Sequence, residues 1–294
     1  MFLKILRQIF WLLVYLFALI GFILVAGFFA LRFGWTNTSG TVDFNDRYFK
    51  EVIGQIRQNN ATSSDQEISD SNKQELGTVS AAWMDTLDWP VLKEAITKDA
   101  PQIKKVSGET GVPERLIVSM LVPEQLRLYT SEREVFKQFF QPLKILGVQS
   151  QFSWGVMGIK EETAKQIEAN LKDKTSPFYL GPDYENRLDF STEDISSERF
   201  NRLIDSKNHY YSYLYSALFL KQIMRQWDLA GYNISNRPEL LATLFNLGFS
   251  KSTPKALPQV GGAEIDVGGE KYSFGGLAFQ FYYSKELLDY FPWQ

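Results

Sequence analysis

The chain contains no cysteine and a single histidine among its 294 residues. The first absence removes disulfides, thiolate metal ligands and a cysteine nucleophile, and leaves the redox compartment unmarked. The second removes multi-histidine metal sites, and any serine–histidine hydrolytic pair would have to use His209. His209 lies in KNHYYSYLYSALFL, near the start of an apparent helix, where the expectation is a helix-end or partly buried side chain. Proton transfer then falls to carboxylates, tyrosines or lysines. A basic excess is missing too: 31 Lys and Arg against 34 Asp and Glu give a net charge of -3, which argues against a nucleic-acid partner. Strand signals are few, no internal repeat is evident, and neither a cofactor nor a metal is implied.

What is present begins with one long apolar run. From Ile9 to Leu31 (IFWLLVYLFALIGFILVAGFFAL) no residue is charged, and about 20 apolar residues suffice to span a bilayer. Lys4 and Arg7 precede it, which favours a cytoplasmic N-terminus and export of the remainder. A cleavable signal peptide would have a shorter apolar region. The expectation is a single-pass anchor in the cytoplasmic (inner) membrane, with the domain on the periplasmic or extracytoplasmic side. Next, DFNDRYFKEVIGQIRQ places Phe44, Tyr48, Phe49, Val52, Ile53 and Ile56 on one helical face. Asn59 to Glu75 is polar and reads as a flexible linker. The boundaries are 1–35 for the cytoplasmic tip and anchor, 36–78 for the amphipathic segment and linker, and 79–294 for one largely helical domain.

Within that domain DWPVLKEAITKDA opens a helix with Asp88 and Pro90, and a second follows Pro101 and stops near Gly108. A third begins at Pro113 and runs towards Glu124, where Pro123 favours a kink or an end by depriving the Ser119 carbonyl of its N–H partner. SEREVFKQFF is amphipathic, and Tyr210 to Leu229 is a long aromatic-rich helix stopped by Gly231. AEIDVGGEKYSF carries a Gly-Gly pair between two short segments, a hairpin signature. The fold class expected is mainly α with a small β-hairpin, preceded by one N-terminal transmembrane helix.

The segment LIVSMLVPEQLRLY sets Glu124 on a helical face with Ile117, Met120, Leu121 and Leu128. Glutamate is seldom buried unless paired. The plain explanation is a structural pair with Arg127 or exposure at a kinked helix end. The functional one is a desolvated acid: burial favours the neutral form, which is the form able to donate a proton.

Three stretches in order carry a resemblance: GVPERLIVSMLVPEQ ending in Glu124; SWGVMGIKEETAKQIE with Ser153, Gly155, Gly158, Ile159, Thr163 and Ala164; and PELLATLFNLGFSKSTP with Asn246 and Gly248. From about Pro90 onward the chain resembles the lysozyme-like superfamily, in particular soluble lytic transglycosylases and goose-type lysozymes. That family has a helix ending in a catalytic Glu, then S-x-x-G-x-x-G-L with a downstream T-A, then a helix bearing Y-N-x-G. The resemblance implies a lysozyme-like helical fold and makes Glu124 the catalytic acid/base. It places Ser153, Gly155 and Gly158 against peptidoglycan glycan strands, and Asn246 either against the strand or orienting Glu124, the plain alternative for Asn246 being a helix C-cap. Trp154, between Ser153 and Gly155, is the aromatic expected in the same cleft. The implied activity is that of a membrane-anchored lytic transglycosylase, cleaving the β-1,4 MurNAc–GlcNAc bond with one Glu and leaving 1,6-anhydro products.

Several positions depart from the pattern. Gln125 replaces the family's Ser, Phe245 its Tyr and Glu161 its Gln; Ser153 lies one residue too close to Gly155; and the stretch from Glu124 to Ser153 is long. Gln125 and Phe245 favour the alternative of a catalytically degenerate glycan-binding or envelope-scaffold protein. An unrelated anchored, partner-binding helical domain is a third reading. No spacing specifies a second catalytic carboxylate; Glu132, Glu134, Glu161, Glu162, Asp183 and Glu185 are candidates. Trp89, Trp154, Tyr179, Tyr184 and Tyr272 are candidates for stacking on sugar rings, Trp154 foremost.

Overall fold

The computed structural model describes residues 81–86, 88–130 and 153–293, together with Arg7, Gln8, Trp11, Tyr15, Ala18, Leu19, Gly21 and Phe22. Met1–Ser39 and Gly40–Gln294 form separate compact units. Most of the apolar run 9–31, the segment 43–58, the linker 59–75 and SEREVFKQFF lie outside the described residues. Among the described residues no helix is long and apolar enough to cross a membrane.

The larger unit is mainly helical. Its described residues form eight α-helices: α1 (Asp88–Lys98), α2 (Ala100–Thr110), α3 (Glu114–Thr130), α4 (Glu161–Lys172), α5 (Ile195–Ile204), α6 (Tyr210–Leu229), α7 (Pro238–Leu247) and α8 (Phe274–Tyr283). Two antiparallel two-stranded ladders complete it, β1 (Ser153–Trp154) with β2 (Ile159–Lys160) and β3 (Glu264–Val267) with β4 (Glu270–Ser273). The second is the hairpin expected from Gly-Gly: Val267 pairs with Glu270. Gly268 and Gly269 take φ of 65° and 86°, the left-handed pair that a two-residue type I′ turn requires.

Two helix ends differ from expectation. Gly108 lies inside α2, and the helix ends instead at Gly111, whose φ of 71° allows its N–H to reach the Ser107 carbonyl. Left-handed backbone, not the presence of a glycine, marks the stop. α3 likewise does not end at Glu124 but continues through Pro123 to Thr130. Val122 before the proline and Leu126 after it are both fully buried, so packing on both sides carries the helix past the lost hydrogen bond.

α3 is the central strut, packed by α1, α2, α6, α7, α8 and β3. Leu116, Ile117, Val118, Met120, Leu121 and Val122 are all buried, an apolar surface on every side that suits a helix surrounded by others. Its first turn carries Arg115, fully buried. Arg115 donates to the carbonyls of Phe281 (2.8 Å), Tyr282 (2.6 Å), Ser284 (2.7 Å), Glu286 (3.0 Å) and Phe291 (3.0 Å). These include carbonyls at the end of α8 that have no partner within the helix. Burial pulls the guanidinium down to about 10, which still leaves it charged at neutral pH.

α6, buried continuously from Ser212 to Leu220, is the second axis. Phe219 meets Phe245 of α7 at 5.4 Å and Phe249 at 4.4 Å between ring centroids. At its start His209 binds Asp99 through Nδ1 (2.6 Å), and the Tyr213 hydroxyl donates to the same carboxylate oxygen (2.6 Å). His209 thus has the helix-end place expected of it, and the cluster ties the α1–α2 junction to α6.

Candidate active site

Glu124 projects from the second half of α3 and is 2% exposed. Its Oε1 accepts from Arg127 Nη2 at 2.5 Å, one turn further on. Across from it runs the loop Gly155–Gly158, which joins β1 to β2. The loop is closed by the Gly158 N–H bonding to the Gly155 carbonyl (3.2 Å) and anchored by buried Met157. Both glycines have positive φ, 67° and 61°, a conformation that costs other residues energy.

Each glycine also allows a close approach. A Cβ on Gly158 would lie 1.9 Å from Glu124 Oε1 and 2.3 Å from Cδ, so the loop backbone rests directly on the carboxyl group. A Cβ on Gly155 would lie 2.0 Å from the Leu203 carbonyl oxygen and 2.6 Å from Ser212 Oγ. The loop is therefore wedged between α3 on one side and the α5–α6 corner on the other. Gln125, the neighbour of Glu124, donates its side-chain amide to the Val156 carbonyl in the same loop. Two of the three motifs thus meet at one carboxyl group.

The other nominated residues are placed as follows. Ser153 and Trp154 form β1, paired with Lys160 and Ile159; their side chains lie outside the described residues. Asn246 sits in the last turn of α7, where Oδ1 accepts from the Ala263 N–H (2.8 Å) and ties the helix to the segment before β3. It is not the helix cap, a position held by Gly248. Phe245 is buried against Phe219 and Phe274.

Trp89 is not available to a ligand: it is buried edge-on against Trp83, with its indole N–H donated to Glu286 (3.1 Å). Tyr179 donates to Glu185 (2.5 Å), Tyr184 to the Thr110 carbonyl (3.2 Å) and Tyr272 to Glu270 (2.7 Å). The Tyr179 bond holds the Glu185 carboxyl below the usual range. Glu161 is paired with Lys165 (2.9 Å), and Glu162 and Asp183 are exposed. Glu132 and Glu134 lie outside the described residues. Among the described residues no group of three or more metal-binding side chains is arranged to hold a metal ion.

A cleft of about 710 Å³ opens beside α5, lined by residues that include Asp194, Glu198, Asn201, Arg202 and Tyr211. None of the nominated residues lines it, although Leu203 and Ser212, which hold Gly155, adjoin its wall in sequence. Sequence reasoning missed the Gln125 tether, whose partner is 31 positions away; residue type alone gives no signal for it. The chain matches no family model, and comparison with curated proteins and with solved structures returns no match.

Proposed function

We propose that the protein is a membrane-anchored peptidoglycan lytic transglycosylase whose acid/base is Glu124. The observation that carries this reading is the seating of the Gly155–Gly158 loop on the Glu124 carboxyl. A buried carboxyl with a glycine loop seated on it supplies the two features that the family resemblance asks of a glycan-cleaving site, an acid shielded from water and a glycine loop beside it. In the reaction Glu124 gives its proton to the glycosidic oxygen as the C1–O bond breaks, releasing the GlcNAc 4-hydroxyl. The resulting carboxylate then takes the proton of the muramyl 6-hydroxyl as that oxygen bonds to C1, closing the 1,6-anhydro ring. No second carboxylate and no water is consumed.

The anchor belongs to the same reading. Trp11, Tyr15, Leu19 and Phe22 are helical and expose large apolar side chains at spacings of one helical face, as suits a segment surrounded by lipid. The domain would then act on the extracytoplasmic side, on glycan strands.

One observation favours a second reading, a glycan-binding or scaffold protein that does not cleave. Arg127 occupies Glu124 Oε1, an oxygen that could otherwise hold the transferable proton. The test is digestion of purified sacculi by the full-length protein in detergent, with released fragments identified by mass spectrometry. The expected outcome is anhydro-muropeptides from the parent and a loss of roughly 10²–10⁴-fold in Glu124→Gln, the range for a general acid–base group. Reducing ends instead of anhydro ends would make it a hydrolase. Binding to sacculi without release would establish the second reading.

A further inference from the structure

Gln125 has a partner that its neighbour's role does not explain. Successive helical residues diverge by about 100°, so Glu124 and Gln125 leave α3 on adjacent faces, yet both engage one four-residue loop. Glu124 lies under Gly158, and Gln125 holds the Val156 carbonyl two residues earlier. The loop's other fixed points are Met157 in the core and Gly155 against the α5–α6 corner. Of these points only the Gln125 bond ties a loop carbonyl to α3.

We propose that Gln125 is a positioning residue that sets the height of the glycine loop over Glu124. This rests on the reading of Glu124 as the acid/base. Without the tether the loop keeps its hold on α5 and α6 but can lift from the carboxyl, admitting water and misplacing the sugar backbone.

Two substitutions test it in the full-length protein. Gln125→Glu keeps the shape but presents an oxygen to the Val156 carbonyl, and Gln125→Met keeps the length without a donor. Hydrogen exchange followed by mass spectrometry on the peptide spanning 153–160 should accelerate about fivefold or more in both, the factor expected for one lost hydrogen bond. Global thermal midpoints should change little. On sacculi the kcat should fall by roughly 10²-fold with KM nearly unchanged, as for a misplacement of about 1 Å. Unchanged exchange in both variants would overturn the proposal whatever the activity. A raised KM with parental kcat would overturn it too, by making Gln125 a substrate contact. If the parent releases no muropeptides, the reading of Glu124 falls, and the exchange data alone still decide whether Gln125 seats the loop.

Discussion

Replacing Gly158 by alanine adds one carbon atom, and its consequences can be worked out in advance. The new Cβ would lie 1.9 Å from Glu124 Oε1, whereas non-bonded heavy atoms rest about 3.5 Å apart. Loop and carboxyl must therefore part by roughly 1.5 Å, given the same separation. Glu124 has little freedom to yield, because Arg127 holds Oε1 at 2.5 Å. Alanine must also take a φ of 61°, which costs roughly 1–2 kcal/mol. Overpacking adds about 1–3 kcal/mol, for a total of roughly 2–5 kcal/mol. At about 2–4 °C per kcal/mol for a domain of this size the melting midpoint should drop by roughly 4–20 °C. Cleavage of sacculi should fall by about 10²-fold or more for such a displacement. Gly231→Ala is the control: its φ is 84°, but a Cβ there meets nothing within 4 Å. It should show the backbone cost alone, with parental cleavage. If the two alanine variants melt and cleave alike, the loop is not seated on Glu124.

Two further outcomes concern the scaffold. Arg115→Met removes the Arg115 donor from five carbonyls. Phe281 keeps the Ser284 N–H and hydroxyl and Tyr282 keeps the Trp293 indole, but the buried Ser284 and Phe291 carbonyls lose a charged donor, and the variant should destabilise by more than about 3 kcal/mol. Arg115→Lys, with three donors for five acceptors, should recover only part of this. Denaturant melts that show less than about 1 kcal/mol of loss, a typical surface effect, would refute the reasoning. The bond to Asp99 raises the His209 pKa, against the opposing effect of burial, and Asp205 adds to the rise. A raised folded-state value means that the stabilisation is complete below the unfolded value of about 6.5 and is lost as pH rises through the folded one. The thermal midpoint should therefore fall from about pH 6 upward, and His209→Gln should remove that component; parallel pH curves for parent and variant would contradict it.

The parts of the fold legible in the sequence are those fixed by local chemistry. Asp88 and Pro90 mark α1, Pro113 precedes α3, and the Gly-Gly pair places the β3–β4 hairpin, because caps, fixed φ and left-handed turns act over a few residues. Gly108 as a helix stop and Pro123 as a helix end misled because each has a local meaning that the surroundings override. Gly108 keeps helical backbone, and Pro123 sits between buried residues that continue the helix. At the site, the apolar face around Glu124 and the alternative of an Arg127 pair could both be read, since they lie within a few turns of one helix. The contacts that turn this face into a site could not. Gly158 reaches Glu124, Gln125 reaches Val156 and Asn246 reaches Ala263 across separations that no periodicity encodes. Trp89 shows the converse: a tryptophan suited to stacking on a sugar is, on packing, a wall of the core.

The Arg115 cluster also sets a timetable. Its acceptors lie 166 to 176 positions downstream, and at a synthesis rate of about 5–20 residues per second they appear roughly 9 to 35 s after it. In that interval the guanidinium cannot be buried at low cost, because the carbonyls that replace its hydration do not yet exist. α3 cannot take its final seat before them, and Glu124 rides on α3. A protein proposed to cut the wall would thus keep its acid unassembled through most of its synthesis, and would become competent only when residues 281–291 close over α3.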